Sequence, residues 1–428
     1  MDPLTPPRIL HVSRMDHTGG AGRAALRLHT GLRRHGWDSW IYVEDSLSGD
    51  PNVIRFQPRR NPFSALARWK RRKEAEDRFR IYAKRRDGFP VAHFEAFNDI
   101  RSVWGAETVR AMPRADLVNL HWVTNFIDLE AFFSRITVPV AWRIADMNLF
   151  TGGCHYDDGC GRFNSQCGSC PQLLSSVEED LSRNIWLRKS AMFEKIPADR
   201  IHFVALNQWM AGLLRNSALV GKFPVTIIPN GLDTDFFRPL DKTEARRQLG
   251  IPPEVTVILF VAASLKSRRK GFAALSRALE GVRAENTMLV SVGEQFAPLS
   301  SSLPHLHLGH LSDNARLASV YSAGDLFVSA ALQDNLPNTV LEAMSCGLPI
   351  AGFSAGGVPD MVVHGENGLL SEPGDIEGLR ASIQRLLDEP DLRRTMAERS
   401  RQRILEKHTL KVQASAYGNL YREMLGLS

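Results

Sequence analysis

The sequence predicts an α/β chain made of two doubly wound parallel sheets. Short apolar runs alternate with helix-period segments through the whole chain, the pattern of repeated β-α-β units. At 428 residues the chain exceeds one ordinary domain, and its 43% hydrophobic content supplies two cores. The alternation breaks once, at Pro229-Asn230-Gly231-Leu232-Asp233, which sets expected domains of 1–230 and 231–409.

In the first half, strands are expected at 9–13, 40–43, 117–120, 138–144, 201–205 and 225–228. Between the first two, Gly19-Gly20-Ala21-Gly22-Arg23 reads as a loop. It opens a helix with Ala24, Leu28 and Leu32 at i+4 spacing and Gly36 as its stop. In the second half, strands are expected at 257–262, 288–292, 306–309, 326–329 and 350–353, with a helix over 375–387. A last helix over 410–425 aligns Tyr417, Leu420, Tyr421 and Leu425 on one side. There is no short-period repeat and no low-complexity tract.

The net charge of +6 is unevenly distributed. Residues 59–86 hold twelve Lys/Arg against three Asp/Glu, a balance of +9, so the rest of the chain sums to −3. Phe63, Leu66, Trp69, Phe79, Ile81 and Tyr82 interleave with these charges. Three readings stay open: a helix lying on anionic lipid headgroups, a site for an anionic acceptor, and a solvated Arg-rich insertion. No motif of nucleic-acid recognition accompanies the charge, so no nucleic-acid partner is expected. No run of 18 apolar residues occurs. The apolar run at 9–12 is too short for a signal peptide, which makes a cytoplasmic location the expectation.

Cys154, Cys160, Cys167 and Cys170 cluster in a Gly-rich stretch, while Cys346 falls on the apolar side of a helix and reads as core. In a cytoplasmic protein four clustered thiols suit one tetrahedral structural zinc. Two disulfides or free thiols are the alternatives.

The most informative stretch is 334–349. Asp334 and Glu342 bracket seven residues, a strand-like run precedes them, and Val340, Ala343, Met344 and Gly347 form an apolar helix face. Glu342 is expected to point off that face. The helix start offers backbone N–H groups at Asn338, Thr339, Val340 and Leu341, suited to a phosphate, and a carboxylate suited to ribose hydroxyls. This stretch resembles the acidic signature of the retaining nucleotide-sugar glycosyltransferases of family 4, with Asp334 in place of the usual first Glu. Lys270-Gly271, Gly356-Gly357 and 365–370 extend the likeness, and 119–122 with 151–154 resembles a bacterial exopolysaccharide subgroup.

The resemblance implies the GT-B fold, two Rossmann-like domains facing a central cleft, with the terminal helix 410–428 packing back on the first. It implies a retaining, metal-independent hexosyl- or related transfer from a UDP- or GDP-linked sugar to a glycan or lipid-linked acceptor, in cell-surface polysaccharide synthesis on the inner face of the membrane. His121, Asp334 and Lys270 would serve catalysis. Gly20, Gly22, Arg268, Asn338, Thr339, Val340, Leu341 and Glu342 would bind the donor. No catalytic cofactor is implied. Two positions depart from the family pattern. Ala145 stands where His is usual, so Arg143 or Asp146 would compensate; Ser264 stands where Arg is usual, so Lys266, Arg268 or Arg269 would supply the charge. The departures leave an inactive scaffold as one alternative. Gly20-x-Gly22-x-x-Ala25, with Glu44 or Asp45 ending the next strand, leaves an NAD-binding oxidoreductase as the other.

Overall fold

The computed structural model describes residues 6–17, 19–86, 96–294 and 298–427, without the side chains of 81 and 83–86. Met1 to Thr5 of the N-terminal segment, and the side chains of Ile81, Lys84, Arg85 and Arg86 of the basic run, thus lie outside the described residues. The chain divides into two compact units, Met1–Ile228 with Gln413–Ser428, and Pro229–Val412.

The first unit is built on seven parallel strands: β1 (Arg8–Met15), β2 (Asp38–Asp45), β3 (Val53–Arg55), β4 (Leu117–Leu120), β5 (Val140–Arg143), β6 (Ile201–Ala205) and β7 (Val225–Ile227), ordered β3-β2-β1-β4-β5-β6-β7. Two strand expectations need correction here. β5 starts at Val140 and not at 138, because Pro139 has no N–H to donate and offers only its carbonyl, to the Val118 amide at 3.1 Å. β3 was not expected; two half-exposed residues and one exposed residue at a sheet edge carry too little pattern to read.

Alternate residues of each strand face opposite layers. Leu10 and Val12 point into a core with Val118, Leu120, Trp142 and Phe203. Ile9 points the other way, with Leu117, Ala141 and Val204, toward the helix Gly19–Arg34 and the helix Leu410–Leu425. The glycines at 19, 20 and 22 lie in the first turns of their helix, not in a loop before it, which corrects the sequence reading. Gly22 is required for close approach: a Cβ there would sit 2.9 Å from the carbonyl oxygen of Met15.

The second unit repeats the logic with six parallel strands: β8 (Thr256–Ser264), β9 (Thr287–Glu294), β10 (His305–His307), β11 (Leu326–Ser329), β12 (Ile350–Phe353) and β13 (Gly368–Ser371), ordered β10-β9-β8-β11-β12-β13. In each unit the order reverses at the first strand, so the loops after β1 and β4, and after β8 and β11, diverge at the carboxyl ends. Ligands of open α/β sheets bind at such points. No helix among the described residues is long and apolar enough to cross a membrane.

The terminal helix is fastened to the first unit by more than apolar contact. Asn119 Nδ2, on β4, donates to the buried Tyr421 hydroxyl at 2.6 Å, and Trp37 meets the Tyr421 ring edge-on at 5.8 Å. Tyr421→Phe keeps the ring and strands the Asn119 donor. It should cost about 1–3 kcal/mol, read as a lower melting temperature; an unchanged melting curve would show that this bond does not hold the helix.

Candidate functional site

In the second unit, chemistry gathers where β8 and β11 part. The turn Arg268–Lys270 follows β8 and ends at Gly271, whose φ is +76° and where a Cβ would lie 1.7 Å from the Ala330 carbonyl oxygen. Only glycine lets the two loops approach this closely. The approach brings Lys270 Nζ to 2.6 Å from Asp334 Oδ2, and Arg269 Nη1 to 3.4 Å from Asp334 Oδ1 and 2.8 Å from the Gln333 carbonyl. The Asn335 amide donates to Asp334 Oδ1 at 3.0 Å. Burial pushes the Asp334 carboxyl up, but Lys270, Arg269 and the Asn335 amide outweigh it and hold the group below the usual carboxylate range. Asp334 is therefore a buried anion that fixes two cations at the switch point.

Arg269 thus meets Asp334, whereas Arg268 and Lys266 are exposed. After Asp334 comes the helix Asn338–Ser345, whose start is joined to the inter-unit segment by Asn230 Nδ2 donating to Asn338 Oδ1 at 3.0 Å. Two expectations about this helix are corrected. The amides of Val340 and Leu341, expected to face a phosphate, donate instead to the Pro337 carbonyl. Glu342, expected off the apolar face, is itself buried: the helix is buried from Val340 to Ser345, and the Tyr321 hydroxyl donates to Glu342 Oε2 at 3.0 Å. Cys346 is buried, in keeping with a core residue.

In the first unit His121 follows β4 but is turned inward rather than open at the sheet edge. Its Nε2 lies 2.9 Å from His11 Nδ1, and its amide donates to the Val12 carbonyl at 2.9 Å. His29 adds an edge-on ring 6.2 Å from His11, and its Nδ1 is 2.7 Å from Ser39 Oγ. Burial depresses all three imidazoles; His29 lowers His11 further, His11 and Arg143 lower His121 further, and His29 falls to about 4. His121 also lines a cavity of about 40 Å³ with Trp122, Ala145, Asp146 and Lys189.

Beside Ala145, Asp146 Oδ2 is 2.6 Å from His155 Nδ1 and accepts from Trp122 Nε1 at 3.0 Å, while His155 Nε2 is 2.8 Å from Asn98 Oδ1. Burial raises the Asp146 carboxyl, but His155, the Asn148 amide and Trp122 bring it below its ordinary value. A histidine is thus set against this segment from the Cys-rich loop, not from the strand end. Arg143 is buried nearby. Sequence reasoning missed His11, His29, His155 and Tyr321, since a single polar residue within an element or in a loop carries no spacing signal.

Gly20 is exposed and Gly22 buried in the helix after β1. Glu44 is already engaged, by Arg14 Nε at 2.9 Å and Trp104 Nε1 at 2.7 Å, and Asp45 lies 3.0 Å from Arg55. Cys154, Cys160, Cys167 and Cys170 line one small cavity of about 10 Å³ as free thiols. Gly152 donates its amide to Cys167 Sγ at 3.2 Å, Arg162 donates to Cys160, and Gln172 and Leu173 donate to Cys170. Burial pushes the Cys167 thiol up to about 12. Among the described residues no three His, Cys, Asp or Glu side chains stand as a closed set of metal ligands.

With this geometry in place, comparison with known proteins is decisive for the second unit. Residues 241–403 match the family described as glycosyl transferases group 1. They belong to it. The group 1 segment lies wholly within Pro229–Val412. Among relatives, N-acetyl-alpha-D-glucosaminyl L-malate synthase of Bacillus anthracis is 26% identical over 207 residues, 47% of this chain and 54% of that one. The chain thus spans about half the length of the first curated relatives it matches. The putative colanic acid biosynthesis glycosyl transferase WcaC of Escherichia coli is 25% identical over 350 residues, covering 78% and 79%. Among solved structures, Anabaena HepE in complex with UDP-glucose aligns with a TM-score of 0.66 at 16% identity, over 97% of this chain and 100% of that one. The fold is accordingly of the GT-B class.

The histidine cluster makes a prediction with a definite sign. His11, His29 and His121 are neutral in the fold and titrate at ordinary values when unfolded, so the unfolded chain binds more protons as pH falls. Stability should be complete above about pH 6.5 and decline toward pH 4 by about 1.4 kcal/mol per pH unit for each histidine. Melting temperatures across that range check it; a flat profile would contradict burial of neutral imidazoles.

Proposed function

We propose that the protein is a retaining glycosyltransferase, moving a sugar from a nucleotide-linked donor to a glycan or lipid-linked acceptor in cell-surface polysaccharide synthesis. One observation carries the reading: the buried Asp334 carboxylate holding Lys270 and Arg269 at the switch point of the group 1 unit. A departing nucleoside diphosphate gains negative charge as the glycosidic bond breaks. Two cations already fixed in place stabilise that charge without reorganising, which is how preorganised groups lower a barrier. The first turn at Asn338 and Thr339 would meet a phosphate oxygen, Asp334 the sugar hydroxyls, and Glu342 the ribose. The UDP-glucose held by HepE favours a UDP-linked donor over a GDP-linked one, and WcaC favours a polysaccharide acceptor.

His121 is proposed as a positioning residue on the acceptor side, acting through the cavity it shares with Trp122 and Asp146. The oxidoreductase reading is weaker, because the acid it requires at the end of β2 is already bound by Arg14 and Trp104. A screen of UDP- and GDP-linked sugars with hydrolysis and transfer readouts separates the readings. Binding and turnover are expected. NADH binding without nucleotide-sugar binding would overturn the proposal, and nucleotide-sugar binding with no turnover would leave a scaffold.

Glu342→Gln keeps an acceptor for Tyr321 and removes the charge. Since a hydrogen bond to a charged group contributes about 1.5–3 kcal/mol, nucleotide affinity by calorimetry should fall about tenfold or more with the melting curve preserved. Unchanged affinity for every nucleotide bound by the parent would take Glu342 out of the site.

We further propose that the four cysteines hold a structural zinc. Supporting this, all four line one cavity and three of the sulfurs accept backbone N–H bonds, which offset in part the burial that raises all four thiols. Ligation would have to draw the sulfurs inward and release their protons. Protein purified without chelator should carry about one zinc per chain, as a single four-coordinate site requires. Metal analysis finding none, with the thiols titrating freely or paired as disulfides, would dismiss the site.

A further inference from the structure

The basic run of the first unit forms one helix, Pro62–Arg86, begun by proline at the first turn and by Asn61, whose Oδ1 accepts from the Ser64 amide at 2.9 Å. Its two sides differ in kind. One side is fastened to the protein: Arg68 Nη1 lies 3.1 Å from Glu107, Arg71 Nη1 donates to the Val103 carbonyl at 3.1 Å, Phe79 meets Phe97 at 6.2 Å, and the Tyr82 hydroxyl accepts from the Leu181 amide at 3.1 Å. The spacing 68, 71, 79, 82 is that of a single helical stripe.

The opposite side carries Phe63, Leu66 and Trp69, which are 85%, 51% and 55% exposed. A merely solvated face would present polar groups here. Three large apolar side chains within two turns form a ridge that water disfavours. Arg59, Arg60, Lys70, Arg72 and Lys73 are exposed around it, and no Asp or Glu occurs from 59 to 73. Lys73 Nζ sits 5.3 Å from the Trp69 ring centre, the arrangement of an amphipathic surface with cations at its margin. Exposed acids begin only with Glu74, Glu76 and Asp77.

We propose that the 59–73 face docks on an anionic lipid bilayer, with Phe63, Leu66 and Trp69 entering the boundary between headgroups and acyl chains. The cations would lie at the depth of the headgroup phosphates, with their aliphatic stems along the apolar layer. A second copy of the chain fits less well, since it would bring the same cations face to face. A soluble polyanion satisfies the cations but leaves the apolar ridge in water. Only a surface that is anionic outside and apolar beneath satisfies both.

The test is sedimentation of the full chain with vesicles of phosphatidylcholine alone, or of phosphatidylcholine and phosphatidylglycerol in equal parts. The chain should sediment with the second and not the first. Joint substitution of Lys70→Gln, Arg72→Gln and Lys73→Gln should lower that affinity about 10²-fold. Joint substitution of Phe63→Ser, Leu66→Ser and Trp69→Ser should abolish it at any salt concentration. Trp69→Phe should remove the vesicle-induced blue shift of tryptophan emission. Melting curves control for folding, since all six side chains are exposed. No binding to the anionic vesicles would overturn the proposal. Loss on neutralising the cations without loss on removing the apolar ridge would overturn it in favour of a soluble polyanion. Self-association cured by the serine variant, with no vesicle binding, would overturn it in favour of a second copy.

Discussion

A parallel sheet whose strand order reverses must open a gap at its carboxyl ends, and both units are organised around that constraint. Neighbouring strands send their connections to opposite faces at the reversal, so nothing of the sheet's own covers the space between them. In the group 1 unit that space is bordered by the loops after β8 and β11, brought together at Gly271 and Ala330. In the first unit it is bordered by the loops after β1 and β4, and His121, which follows β4, meets His11 from within β1. The two gaps are filled differently. One holds a carboxylate and two cations; the other holds imidazoles kept uncharged by burial.

That difference has an energetic basis. Asp334 remains ionised in a buried place because Lys270, Arg269 and a backbone amide each lower its carboxyl. A buried carboxylate with such partners is a rigid base for the two cations beside it, at the expense of desolvating the group. The Asp146–His155 pair in the first unit follows the same rule on a smaller scale and also draws Trp122 into place.

Much of this was legible in the sequence. Buried parallel strands read as continuous apolar runs, and β4, β6, β11 and β12 fall on their expected residues. Lys270 and Asp334 were recognisable from resemblance, yet their direct contact depends on a fold that brings residues 64 positions apart together. Glu342 illustrates the limit. Its helix looked amphipathic by spacing, but the buried hydroxyl of Tyr321 supplies a polar partner inside, so a charged residue faces the interior. Spacing registers where apolar residues are, not whether a buried polar group has found a bond. His155 was invisible for a related reason, being placed by a loop instead of a periodic element.

The return of the last helix has a consequence for how the molecule is made. The core of the first unit is lined on one side by Ala414, Tyr417, Leu420 and Tyr421, which are synthesised after the whole of Pro229–Val412. A ribosome therefore delivers the second unit complete while the first still exposes the surface around Ile9, Leu28 and Leu117. The earlier-made unit is the later one to close, and the nascent chain must keep an apolar sheet face uncovered until translation has passed residue 421.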